Sequence, residues 1–234
     1  MPEKKEGSFI PKTEKETQLE LLHIPELRIS SASFARIQNG DGRYALLINQ
    51  DRAKKGKTVL TPIGGAIETT AEGIGELKKI LDIDNESFEK GNDLRFHMKG
   101  AKGNEFREWF LDGKQRELDP TREIIEELID EAKLLTTEDL EELRHTKAGY
   151  ATKLAETTRH GQEGQMTLRL LEVFNVELKP EALQKLEALA KNPEAQIRFV
   201  TEKEIKNEQT EDGIKIATVT QSLLDLEDTI PEFK

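Results

Sequence analysis

The chain has 234 residues, and hydrophobic and charged residues each make up 35% of it, enough for one domain of substantial size or two small ones with a heavily charged surface. Its net charge of −11 argues against non-specific binding to nucleic acid, which relies on lysine and arginine to neutralise phosphates, yet leaves room for a small anionic ligand offset by a divalent cation. No apolar run approaches the roughly 20 residues that span a bilayer, the first residues lack the apolar stretch of a signal peptide, and there is no cysteine, so no membrane contact, disulfide or thiolate site is expected and the cytoplasm is the default location.

Residues 1–20 read as a flexible tail, 21–228 as a single mixed α/β domain and 229–234 as a C-terminal tail. Alternating residues from Ile29 to Ile37 predict a strand, and "QNGDGR" carries a hairpin-turn signal. Tyr44 to Gln50 predicts a buried strand, "DRAKKGK" a polar turn, and Thr58 to Ile63 a further strand that stops at Gly64–Gly65. The first half is therefore expected to be an antiparallel meander.

Residues from about 69 to 116 read as an insert. Ile74, Leu77 and Leu81 have helical spacing, "FEKGNDLRFHM" holds a turn and a short strand, and "NEFREWFLDG" predicts a helix closed by Gly113. That helix turns Phe106, Trp109 and Phe110 to one side, where they either stack on a base or pack the insert onto the domain. Downstream, "TTEDLEELRH" begins with a capping pattern that predicts a helix. Thr167 to Lys179 is the longest strand candidate, Pro180 opens an amphipathic helix, "QIRFV" is a short strand, and a turn and final helix close the chain.

Between these lies "DPTREIIEELIDEAKLL", with six acidic side chains in its first thirteen residues. Asp119 suits an N-cap and Pro120 the first helical position. Glu123, Glu126 and Glu127 then fall at i, i+3 and i+4, with Cβ atoms about 5–6 Å apart on one face, while Ile124, Ile125 and Leu128 can anchor the helix to a sheet. Like charges so placed cost a few tenths of a kcal/mol per pair. A cation removes that cost, and oxygen-only ligands suit Mg²⁺ or Mn²⁺. The alternative is a solvated helix in an acidic protein.

The glycine pair in "LTPIGGAIE" allows a sharp turn and close approach of the backbone to a ligand. Together, "GGAIE" and "REIIEEL" resemble the Nudix hydrolase signature, over roughly residues 28 to 225. The resemblance implies an α/β (α+β) fold, a Nudix-like mixed β-sheet flanked by helices, with an insertion inside the Nudix box. Arg122 lies 57 residues after Gly65, against fourteen in the family pattern, and a further family glutamate falls on Ala71 or Lys114, so that Glu68 or Glu117 is left to substitute. The glycine that usually follows the Glu-Glu pair is Ile129. A split box preceded by "WF" and "RELDPTRE" is similar to the Nudix-type domains associated with bacterial cyclic-oligonucleotide (SMODS) antiphage operons.

The implied activity is metal-dependent cleavage of a phosphoanhydride in a nucleoside diphosphate-linked substrate. Glu126 and Glu127 would be the principal Mg²⁺ or Mn²⁺ ligands, Glu123 a further ligand or the base, and Arg122 the group that orients Glu123, with Gly64 and Gly65 bringing backbone close to metal and phosphate. The alternative is a catalytically weak or inactive Nudix module that binds a nucleotide signal or regulates a partner. Glu163, in a glycine-flanked loop, is a candidate metal ligand from the opposite side, and otherwise a solvated loop residue. His160, Arg52 and Arg95 are candidate phosphate contacts, and otherwise surface charge. The insert is a possible homodimer surface.

Overall fold

The computed structural model describes residues 21, 23–157 and 162–233; the expected N-terminal tail and His160 lie outside them. Among the described residues eight strands form one mixed sheet. They are β1 (Leu27–Arg36), β2 (Tyr44–Ile48), β3 (Val59–Ala66), β4 (Arg95–Met98), β5 (Arg144–Glu156), β6 (Met166–Glu177), β7 (Ile197–Val200) and β8 (Lys215–Ile216). The lateral order is β5-β6-β1-β3-β2-β7, with β4 beside β1 and β8 beside β3. The fold is thus the expected mixed sheet flanked by helices.

The expected meander is not what forms. β1 and β2 do begin as a hairpin, with Gly42 N–H donating to the Asn39 carbonyl, but they then diverge and β3 enters between them, antiparallel to both. On its other side β1 runs parallel to β6 from Arg28–Thr167 to Arg36–Asn175. Strand β3 also continues through Gly64 and Gly65 to Ala66 instead of stopping before them. The "DRAKKGK" turn opens with a helical turn, α1 (Gln50–Ala53), capped by the Asn49 side chain.

The insert prolongs the sheet. β1 pairs with β4 over Leu27–Ser30 and with β3 over Ala32–Ala35, so β4 occupies the same edge of β1 that β3 leaves. Helices α2 (Ala71–Leu81) and α3 (Gly103–Asp112) then cover this end, α3 closing with Gly113 at φ 69° as its sequence indicates. Phe106, Trp109 and Phe110 are buried with Phe96 and Leu168 in a core that also takes Ile230 and Phe233. The aromatic stripe is packing, and residues 229–233 lie against α3, where Asn104 Oδ1 accepts the Phe233 N–H at 2.6 Å.

Two further differences concern the second half. "TTEDLEELRH" forms only one 3₁₀ turn, Glu138–Leu140. Asp139 does accept from the Thr136 N–H at 2.9 Å, but β5 begins at Arg144 and pairs with β6 as far as Glu156–Met166, a ladder worth more than a short, costly-to-nucleate helix. At 13 residues β5, not β6 at 12, is the longest strand. After α5 (Pro180–Ala190), "TEKEI" forms helix α6 (Glu202–Lys206) with a Thr201–Glu204 capping box, and the final helix is a 3₁₀ segment, Thr218–Leu223. No helix among the described residues is long and apolar enough to cross a membrane.

Candidate active site

The glycine pair sits where β3 changes partner. Leu60, Thr61 and Pro62 pair with β2, whereas Ile63 to Ala66 pair with β1. At the fork the Gly64 N–H donates to Glu127 Oε2 at 2.7 Å. Gly64 has φ 136°, and a side chain there would overlap the Ser33 carbonyl. A Cβ on Gly65 would overlap the Glu123 carboxyl, so that carboxyl lies directly on the glycine backbone.

Glu123 comes from helix α4 (Thr121–Ile125) and Glu126 and Glu127 from its continuation; at the start of the helix the Thr121 N–H, which has no partner within the helix, donates to Asp119 Oδ1 at 2.9 Å. From Glu126 to Glu131 the helix widens to π spacing, with Ala132 N–H reaching the Glu127 carbonyl, a distortion common at functional sites. Ile124 and Leu128 anchor the helix, fully buried, but Ile125 is 40% exposed and does not.

Arg122 gathers the acidic side chains around one guanidinium. Its Nε donates to Glu117 Oε1 at 2.6 Å, its Nη2 to Glu123 Oε1 at 2.6 Å and to the Ala66 carbonyl at 2.8 Å, and its Nη1 to both Glu126 oxygens at 3.0 and 2.9 Å. These bonds, that to Glu117 foremost, raise its pKa further and keep it charged. Of the two candidate substitutes for the displaced glutamate, Glu117 is the one whose carboxylate joins the cluster, where it also accepts the Glu68 N–H at 2.8 Å.

Burial raises the Glu123 pKa to about 7, opposed by Arg122 and reinforced by Glu126. Burial also raises Glu127 to about 8, against the pull of the Gly64 N–H and with the help of Glu123 and Glu131. Beside Glu127 opens a cavity of about 680 Å³ lined by Asn49, Gln50, Thr61, Arg95 and Glu131 among others. Arg95 is therefore placed in one cavity with Glu127, its guanidinium 3.2 Å from Asp93. Arg52 is exposed on α1, whose Gln50 and Asp51 line the wall instead. Glu163 lies in the turn between β5 and β6, past the Arg28–Thr167 pair. That pair is five residues along β1 from the Ser33–Gly65 pair, roughly 16 Å at strand spacing, so the structure does not bring Glu163 to the trio.

Behind the cluster is a network that sequence reasoning missed. Glu172 of β6, fully buried, receives both Arg116 Nη1 and Nη2 at 2.9 Å and Lys147 Nζ at 2.7 Å. Arg116 in turn donates to the Glu117 carbonyl at 2.7 Å and lies 3.9 Å over the Phe110 ring. The available signal was a lone carboxylate in the apolar run "LRLLEVF".

Residues 26–224 match the family described as the SMODS-associated NUDIX domain. The chain belongs to this family. Neither the curated proteins nor the solved structures give a match. For a Nudix domain a hydrolytic or a regulatory role is in question, and Nudix domains generally use divalent metals.

The residues of this Nudix domain fit such an ion in their chemistry. Glu123 and Glu127 are two desolvated carboxyls that disfavour each other's charge, the state a divalent cation relieves, and both present only oxygen. Among the described residues no three acidic or histidine side chains stand as a ready-made ligand group, since Arg122 holds Glu117, Glu123 and Glu126.

Two expectations follow for this Nudix site. Both raised carboxyls bind protons more tightly folded than unfolded, where they titrate near 4.5. Their stabilising contribution is complete below that pH and is lost as pH rises through about 7 and 8. In chelator, the melting temperature should therefore fall between pH 6 and 9, by the equivalent of roughly 1–3 kcal/mol, and excess Mg²⁺ should flatten that slope. A pH-independent melting temperature in chelator would contradict the burial of these groups. Separately, Gly65→Ala should displace the Glu123 carboxyl from the strand, lowering turnover about 10²-fold with a melting temperature within a few degrees of wild type; unchanged turnover would show that the contact is immaterial.

Proposed function

We propose that this Nudix domain is a divalent-metal-dependent hydrolase that cleaves a phosphoanhydride in a nucleoside diphosphate-linked substrate. The observation that carries the reading is the meeting of Glu123 and Glu127 with Gly65 and Gly64, two segments separated by the whole insert, beside a cavity that also holds Arg95. Glu123, Glu126 and Glu127 would hold Mg²⁺ or Mn²⁺, which when bound neutralises the diphosphate and acidifies a water.

Glu123 is the proposed base. Its Oε1 is held by Arg122, leaving Oε2 against Gly65 to accept the proton of the attacking water. Water oxygen bonds to phosphorus as the bridging P–O bond breaks, giving two phosphate monoester products. Arg122 fixes the carboxylates, and Arg95 binds a phosphate oxygen of the substrate. The site would work in the cytoplasm on a small nucleotide.

A regulatory reading has its own support, because Arg122 ties up Glu123 and Glu126, two of the three carboxylates proposed to hold the metal. The two readings part on one experiment. A panel of nucleoside diphosphate-linked compounds is incubated with Mg²⁺ or Mn²⁺, and release of nucleoside monophosphate is followed. Metal-dependent release supports the hydrolase; tight nucleotide binding without turnover overturns it in favour of the sensor.

A further inference from the structure

Among the described residues, Arg169 is a half-buried cation outside the catalytic cluster to which no acceptor is bonded. On β6, Arg169 pairs across the sheet with Lys153 of β5 on one side and Ser30 of β1 on the other, and Ser30 pairs with Arg95 of β4. Directly paired residues share a face, so Lys153, Arg169 and Arg95 project in one row over three strand spacings, roughly 14 Å. Arg28, two residues before Ser30 on the same face, adds a further positive charge beside Arg169 and lowers its pKa after the first cause, burial.

The neighbours of this row have compensating anions. Arg28 is bonded to Glu89 through Nε and Nη2, Arg95 to Asp93, and Lys153 lies in the field of Asp225 and Glu208. Arg169, itself half-buried, donates to no carboxylate, carbonyl or hydroxyl among the described residues. A partly desolvated guanidinium among cations is unfavourable unless an anion meets it, and a guanidinium fork matches a phosphate group bidentately. In a chain of net charge −11, so local a concentration of cations is not a general property of the surface.

We propose that Arg169 is the centre of an anion site that takes a phosphate group, with Lys153 alongside, and that Arg95 links this site to the cavity beside Glu127. The ligand class is a chain of successive phosphates: one group at the carboxylate cavity and at least one more on the row at Arg169. Binding at Arg169 stands without the catalytic reading, and only its continuity with the Glu127 cavity rests on that reading.

The test titrates the whole chain, in chelator and at low salt, with tripolyphosphate and separately with a 5′-phosphorylated trinucleotide. Wild type, Arg169→Gln and Lys153→Gln are compared. Arg169→Gln is expected to bind at least tenfold more weakly, with the slope of log affinity against log salt for the trinucleotide shallower by about 0.7. Its melting temperature without ligand should be equal to or above that of wild type, and the anions should raise the melting temperature of wild type but not of the variant. Dependence of either probe on Arg169 supports the site; if only the trinucleotide shows it, the nucleoside is read as well as the phosphates. Equal affinities and equal melting shifts in wild type and Arg169→Gln, or no binding of either probe to wild type, overturn it. Hydrolysis followed in parallel with Mg²⁺ keeps the two proposals apart, since Arg169-dependent binding without turnover leaves this site standing and removes the hydrolase.

Discussion

Glu127→Gln is expected to lower turnover by about 10²–10⁴-fold while the fold stays intact. The substitution isolates charge from shape. A glutamine carbonyl oxygen can still accept the Gly64 N–H that Glu127 Oε2 accepts at 2.7 Å, so the contact between β3 and the acidic helix is kept. What disappears is a carboxyl that can ionise beside the cavity, and with it a group that would hold Mg²⁺. Because the native carboxyl is pushed up to about 8 by burial, the variant should also be at least as stable as wild type at pH 8 and should lose part of the pH slope of the melting temperature. Steady-state rates with Mg²⁺, Mn²⁺ titration and melting curves across pH 6 to 9 check the three consequences. Turnover within threefold of wild type would remove Glu127 from the catalytic set.

The residues that carry this prediction were legible from sequence for a definite reason. Glu123, Glu126 and Glu127 declare themselves by helical spacing, and Gly64–Gly65 by a backbone requirement that few other residues meet. Neither pattern depends on what lies between them, so the insert leaves both readable. The insert helices were equally visible, because Leu77, Leu81, Phe106 and Phe110 repeat at helical period and are buried as that period demands.

What escaped is what depends on partners distant in sequence. Strand β5 shows little alternation because its first residues, Arg144 to Lys147, are exposed and its far edge is met by residue Glu227. The Thr136 to Asp139 cap is real, yet a local cap does not decide between a helix and a ladder with β6 that is only closed in three dimensions. The insertion of β3 between β1 and β2 follows from pairing, and no turn signal encodes it. Glu117 was one of two candidates on spacing alone; the Arg122 guanidinium and the Glu68 N–H, both contacts across the fold, single it out.

Glu172→Ala is expected to be the most destabilising single change outside the apolar core, by about 3–5 kcal/mol. It leaves Arg116, with 1% side-chain exposure, charged and without its carboxylate. Lys147 is less affected, since its side chain is 35% exposed and its ammonium can turn to water. For a chain of this length such a loss lowers the melting temperature by roughly 10 °C. The consequence reaches the site, because the Arg116 Nη1 that bonds Glu172 also donates to the Glu117 carbonyl, and Glu117 in turn holds Arg122. A double variant, Glu172→Met with Arg116→Met, separates stability from positioning. Removing both charges should return most of the melting temperature, as replacing a buried ion pair by apolar groups is often neutral. Turnover should stay depressed, because the Glu117 carbonyl then loses the Arg116 guanidinium that ties it to β6. If the double variant recovers turnover together with stability, the buried pair supports the fold alone and Glu117 is positioned by Arg122 without help from β6.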